Sequence, residues 1–198
     1  MLLTTGSVAS EASSADQDHH ATPVSPALCT VQPRSREDLI ALATAPSGVA
    51  WSTRHGTPVA TPGVPVGGTP ADPDTVELVT ATGRELLACA NAGDLARVFA
   101  LYSDYYLFTL WGGGTESSEV DSEEMEEGLA RLANPMPLAE EKRFALVAVH
   151  DVRVLPDGRV IVIVRNNFGS SLALYVKSGD RYLVDWASGL LDGGTPTP

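Results

Sequence analysis

The chain has 198 residues, 13 basic and 25 acidic side chains, a formal net charge of −12 and only two lysines, Lys142 and Lys177. A chain this acidic repels a phosphate backbone, which argues against nucleic acid as a partner, and no run approaches the roughly 18 apolar residues a membrane-spanning helix needs. Eleven of the twelve aromatic residues lie between Phe99 and Trp186, and nine of the fourteen prolines fall at or before Pro73. That asymmetry predicts one folded domain of roughly 120 residues behind an extended N-terminal region, because a segment almost without aromatics cannot bury enough apolar surface to offset its ordering entropy.

In chain order, residues 1 to about 33 read as a disordered polar tail. His19 and His20 beside Asp16 and Asp18 could hold a metal loosely, but a solvated tail is the simpler reading, and no metal site is expected. The opening Met1–Ser10 lacks a basic residue and has only a short apolar run, so it makes a poor signal peptide. Neither Cys29 nor Cys89 has a Cys or His at metal-ligand spacing. They either form one disulfide, tying the tail to the first long helix, or remain two separate thiols. Leu28-Cys29 lacks the small residue a lipid-attachment cysteine wants before it. Ser35, with Asp38 three residues on and Leu39, Ile40 and Leu42 behind, predicts a short capped helix near 36–43 that docks through Leu39 and Leu42. Thr57 to Pro73 is rich in Thr-Pro and glycine and reads as an extended linker. Its composition fits an extracellular linker, so a secreted or extracytoplasmic location is expected, with the cytoplasm as the alternative.

The domain is expected over 74–188. Asp74 is a plausible cap, and Val76, Val79, Gly83, Leu86 and Ala90 recur on one helical face until Gly93 ends the helix. Asp94 opens a second helix through Leu95, Val98, Phe99 and Tyr102. Tyr105 to Trp111 is rich in β-formers and is predicted as a short strand, broken by Gly112–Gly114. Seven acids lie between Glu116 and Glu127. They fit a third helix capped by Asp121, with Met125, Leu129 and Leu132 inward, and lack the turn glycine of a calcium loop. Four strands are predicted at Phe144–Val154, Arg159–Asn166, Ser171–Lys177 and Arg181–Ala187, linked by the turns Pro156-Asp-Gly158 and Ser178-Gly-Asp180. Helices first and strands after predict an α+β fold with an antiparallel sheet. Residues 189–198 read as a disordered C-terminal tail.

Three pieces carry a resemblance. They are the helix break Asn91-Ala-Gly-Asp94, the segment Leu101-Tyr-Ser-Asp-Tyr-Tyr106 leaving the second helix, and the closing hairpin around Ser178-Gly-Asp180 with Arg181-Tyr-Leu-Val-Asp-Trp186. The arrangement over 74–188 resembles the nuclear transport factor 2-like superfamily, which includes SnoaL-like polyketide cyclases and ketosteroid isomerases. The resemblance implies a conical, strongly curved antiparallel sheet, as in cystatin-like folds, with three helices in its concavity and a pocket between them. Relatives use that pocket for isomerisation, cyclisation, epoxide opening or ligand holding.

Catalysis there would need a carboxylate or histidine base in an apolar cavity with a donor opposite. The candidates are His150, Asp185, Asp104, Tyr102 and Arg165, with Tyr105 and Asp151 beside them. Strict alternation places His150 on a face with Phe144, Leu146, Ala148 and Val152. It also places Asp185 with Leu183 and Ala187, where Arg165 could partner it, or where an ordinary cross-strand ion pair would suffice. Asp104 reads as a helix cap. Two family patterns are missing: the first helix has no tyrosine, and no Arg-x-Asp pair lies on one strand. The reading carried forward is therefore a non-catalytic domain that holds a small apolar ligand or associates, with no cofactor; Tyr175, Tyr182 and Trp186 would supply a homodimer face. The alternatives are a small-molecule enzyme of the cyclase or isomerase type, and a protein-recognition module using the acidic 116–127 stretch.

Overall fold

A computed structural model describes residues 21–43, 67–110, 128, 130–132, 134–191 and 195–196. Among the described residues the α-helices with assigned bounds are α1 (Arg36–Ala43), α2 (Pro73–Ala92), α3 (Leu95–Ala100) and α4 (Asp104–Leu110). The strands are β1 (Thr69–Pro70), β2 (Leu146–Val154), β3 (Val160–Asn166), β4 (Gly169–Ser178), β5 (Arg181–Leu191) and β6 (Thr195–Pro196). Strands β1 to β5 pair in sequence order, every neighbour antiparallel, and β6 adds two residues to the far end of β5. The class is α+β and the sheet stays open. The acidic 116–127 stretch, His19-His20 and most of the expected third helix lie outside the described residues.

The long helix α2 begins two residues earlier than expected. Asp72, not Asp74, caps it, accepting from the Thr75 amide at 2.9 Å and the Thr75 hydroxyl at 2.8 Å, with Pro73 in the first turn. Proline suits that position because its missing N–H has no helical partner anyway. Gly93 closes the helix at φ 66°. A side chain there would also run into the backbone carbonyl of Met136, so glycine is required twice over.

The expected strand at 105–111 is helical instead over its described part, which ends at Leu110. The Tyr106 amide donates to the Ser103 hydroxyl at 3.1 Å and the Leu107 amide to the Ser103 carbonyl, so Ser103 caps α4. Helical spacing then turns Leu107 and Phe108 inward. The β-forming aromatics misled because their preference is mostly a packing preference, which a half-buried helix also satisfies.

One face of the sheet is the core. Val79 of α2 packs with Val160, Val162, Ala173, Tyr175, Tyr182 and Val184, and Val149, Val152, Val154, Val164 and Ala187 extend that face. At Gly83, α2 passes close to β4, and a Cβ there would stand 3.6 Å from the Tyr175 hydroxyl, an ordinary van der Waals contact. Tyr175 is 1% and Tyr182 6% exposed, which removes both from the dimer face suggested for them. On the opposite side of β4, Leu172 and Leu174 are buried as well.

Three register shifts break the alternation on which the face assignments rested, the first of them between Leu146 and Ala148. In β2, His150 stands opposite Ile163 but Arg153 opposite Ile161, so two residues face one. Asp151 takes up the slack at φ 51°, a left-handed conformation that aspartate tolerates better than most residues. In β5, Val184 pairs with Tyr175 and Trp186 with Leu174, leaving Asp185 as the extra residue.

Residues 21–43 are bound to the domain rather than trailing from it. Cys29 and Cys89 form a disulfide across 60 residues of sequence, a closure worth about 4 kcal/mol through the entropy of the unfolded chain. Arg34 donates to the carbonyls of Phe99 (3.0 Å) and Tyr102 (2.9 Å) at the end of α3. Leu39 of α1 is buried against Leu107 of α4. The β5 strand, expected to end at Ala187, continues to Leu191 into the segment read as a C-terminal tail.

Candidate functional site

Among the described residues, two groups of interior polar side chains bear on a site. The first centres on Asp185, which is fully buried. The Leu101–Ser103 segment lies along the outer edge of β5, with the Val184 amide donating to the Leu101 carbonyl and the Ser103 amide to the Val184 carbonyl. That docking brings the Ser103 hydroxyl to Asp185 Oδ1, to which it donates at 2.7 Å. Arg159 Nη1 stands 3.7 Å from the other oxygen. Arg159 is itself held by Asp157, whose Oδ2 accepts from Nε and Nη2 at 2.8 Å each. Burial pushes the Asp157 carboxyl up, but the Arg159 amide and guanidinium outweigh it and hold the group below its ordinary value. The bulge therefore delivers a carboxylate into a sheet-spanning chain of Ser103, Asp185, Arg159 and Asp157.

The second group is a set of tyrosines. The rings of Tyr102 and Tyr106 are 5.0 Å apart, and Phe99 lies 6.1 Å from Tyr102. Tyr175 reaches the same core from β4. Burial, reinforced by Tyr106, pushes the Tyr102 phenol up to about 12. Burial and the proximity of Tyr102 push Tyr175 higher still, and burial raises Tyr106 despite a hydrogen bond from the Ala187 amide. Among the described residues, the Tyr175 hydroxyl makes no hydrogen bond. The Thr82 hydroxyl nearby is engaged, donating to the Tyr182 and Leu78 carbonyls at 3.0 and 3.2 Å.

These shifts fix an alkaline behaviour. A phenol whose folded pKa exceeds its unfolded value keeps its proton in the native state after the unfolded chain has lost it. Stability is then undiminished below pH 10 and falls as pH rises from about 10 to about 12. Absorbance titration of tyrosinate should show two of the five tyrosines ionising only with unfolding; five independent, ordinary phenols would contradict the burial.

The remaining sequence candidates are scattered. His150 is exposed, and the bulge at Asp151 separates it from Val152, so it is not among apolar neighbours as alternation suggested. β2 and β5 are separated by two strands, roughly 14 Å at about 4.8 Å per spacing, so His150 and Asp185 do not form a pair. Arg165 stands opposite Ser170, five residues along β4 from Tyr175. The cation at Asp185 is Arg159, beyond the reach of any pattern in the sequence. Asp104 bridges to Arg34 at 2.6 Å, and Asp151 is bonded by Arg153 at 2.7 Å. Tyr105 is half-buried on α4. Of the expected candidates only Tyr102 and Asp185 belong to these two groups; Tyr106, Tyr175, Ser103 and Arg159 complete them and were not expected as site residues. Among the described residues no three His, Cys, Asp or Glu side chains group as metal ligands. Compared with known proteins, the chain matches no family model, no curated protein and no solved structure.

Proposed function

We propose that this chain carries a nuclear transport factor 2-like domain of an extracytoplasmic protein, which holds a small apolar ligand bearing a hydrogen-bond acceptor and does no chemistry on it. The observation that carries this reading is the tyrosine cluster: the Tyr175 hydroxyl, which makes no hydrogen bond among the described residues, stands in an apolar interior beside the half-buried Tyr102 and Tyr106. A phenol donor in apolar surroundings is well placed to bond a ligand carbonyl. The order of helices followed by an antiparallel meander supports the family reading. The disulfide supports an oxidising compartment, and no described helix is long and apolar enough to cross a membrane. The absence of chemistry is supported by the fate of the acids: Asp104, Asp151 and Asp185 are each held beside an arginine, and His150 is exposed.

The test compares matched probes, an acetylnaphthalene and the corresponding ethylnaphthalene, by calorimetry and thermal shift. The ketone should bind more tightly, and Tyr175→Phe should remove that advantage, about 3- to 10-fold for one hydrogen bond, while leaving the hydrocarbon unaffected. Equal binding of both probes to the wild-type protein, or binding of neither, would refute the reading.

A further inference from the structure

The segment that binds back onto the domain, residues 21–43, lies over the tyrosine interior. Cys29 and Val31 pack with Tyr102 around Cys89, Val98 and Leu101, and Leu39 packs with Tyr102 and Phe99 around Leu107. Arg34 fastens the Tyr102 carbonyl. Yet of the side chains in this strap that are described, only those of Val24 and Leu39 belong to the buried core. Its other ties are the partly buried contacts of Cys29, Val31, Ile40 and Leu42 and polar bonds, from Val24 to the Phe144 carbonyl and Asn91, from Thr30 to Glu85, and from Arg34 to α3 and Asp104. The disulfide is thus its strongest single anchor, shifting the docking equilibrium about a thousandfold by keeping the segment near its site.

We infer that residues 21–43 are a redox-released strap: reducing Cys29–Cys89 undocks them and opens the Tyr102 side of the interior. The chemistry favours a defined direction of attack. Cys89 is fully buried and Cys29 is not. A thiolate of a dithiol attacks the Cys29 sulfur, the Sγ–Sγ bond breaks, and its electron pair leaves on Cys89. The second thiolate of the dithiol then displaces Cys29 from the mixed disulfide. The dithiol is oxidised to a disulfide, and the two cysteines, reduced by two electrons, take up two protons. As regulation of the tyrosine site this rests on the proposed ligand-holding role, but the release itself does not depend on any ligand.

The experiment uses the full chain, oxidised and after treatment with dithiothreitol, together with the Cys29→Ser/Cys89→Ser variant. Hydrogen exchange read by mass spectrometry should show the Val24 and Arg34 amides, which donate to Phe144 and Ala96, losing up to about a thousandfold of their protection in both reduced forms. Amides of β3 and β4 should stay protected. Acetylation of Tyr102 by N-acetylimidazole should rise in parallel. Unchanged strap amides would overturn the inference, since the other ties would then suffice. Simultaneous loss of protection in β3 and β4 would overturn it equally, because the bond would then be a global staple. A released strap with Tyr102 still unreactive would also overturn it. Failure of the naphthyl ketone to bind in either redox state would count only against the ligand-holding role.

Discussion

Replacing Asp185 with alanine is expected to lower the folding free energy by about 3 kcal/mol, and replacement with asparagine by roughly half of that. The carboxylate is fully buried, accepts from Ser103 at 2.7 Å and lies 3.7 Å from Arg159. Alanine leaves the Ser103 hydroxyl without its acceptor and Arg159 without one of its two acids, and it opens a void at the bulge. Asparagine fills the same volume and can still accept from Ser103, so it loses mainly the charge. Arg159 retains Asp157 at 2.8 Å, which is why the cost falls short of breaking an isolated buried pair. Urea unfolding with m unchanged would give the two midpoints. If asparagine were as damaging as alanine, the charge rather than the Ser103 bond would dominate. If neither variant moved the midpoint, the network would not brace the fold.

That prediction turns on a residue the sequence located but misread. Asp185 stood out as an acid in an apolar strand, yet its partner was sought in Arg165 because regular alternation was assumed. A one-residue bulge is invisible to periodicity: Tyr182, Val184 and Trp186 read as one face, and only the pairing of Trp186 with Leu174 reveals that the face changes at Asp185. The same event at Asp151 carried His150 away from Val152. Both β4 faces are apolar, Ala173 and Tyr175 on one and Leu172 and Leu174 on the other. Composition therefore could not say which side was the core, and Tyr175 was placed on a surface it does not occupy. By contrast, α2, α3 and the four long strands were legible. Their signals are local, residing in the caps at Asp94 and Gly93, the Pro156-Asp-Gly158 and Ser178-Gly-Asp180 turns, and the uninterrupted Val, Ile and Leu runs between them.

The docked segment 21–33 was read as a tail for a related reason. Its composition is that of a disordered chain, and what holds it is not composition but a few long-range partners. Chief among them is Asn91, which in the sequence merely precedes a helix-ending Ala-Gly. Its side chain is fully buried and sits where three segments meet. Nδ2 donates to the Val24 carbonyl at 2.8 Å and the Phe144 carbonyl at 2.9 Å, while Oδ1 accepts from the Phe144 amide at 2.7 Å. The Asn91 carbonyl also receives the Leu138 amide.

Asn91→Ala should therefore cost about 2–4 kcal/mol, because it strands the Val24 carbonyl and the Phe144 amide, each worth roughly 1–3 kcal/mol when buried and unpaired, less what water can recover, while the Phe144 carbonyl keeps the Val24 amide. The aspartate variant is the sharper test. It preserves shape and can still accept from the Phe144 amide, but it presents a second oxygen to two carbonyl oxygens where an amide donated. Repulsion and the burial of an unpaired charge should make Asn91→Asp at least as damaging as alanine, and its midpoint should recover as pH falls and the carboxyl takes up a proton. The pH dependence follows in sign. A buried, uncompensated carboxyl has its folded pKa raised, so native protein binds the proton more tightly than the unfolded chain, and stability is lost as pH rises through that folded value. Equilibrium unfolding of both variants across acid to neutral pH would decide it. An aspartate variant as stable as wild type at neutral pH would mean that the junction of Val24, Phe144 and α2 does not depend on an amide at its centre.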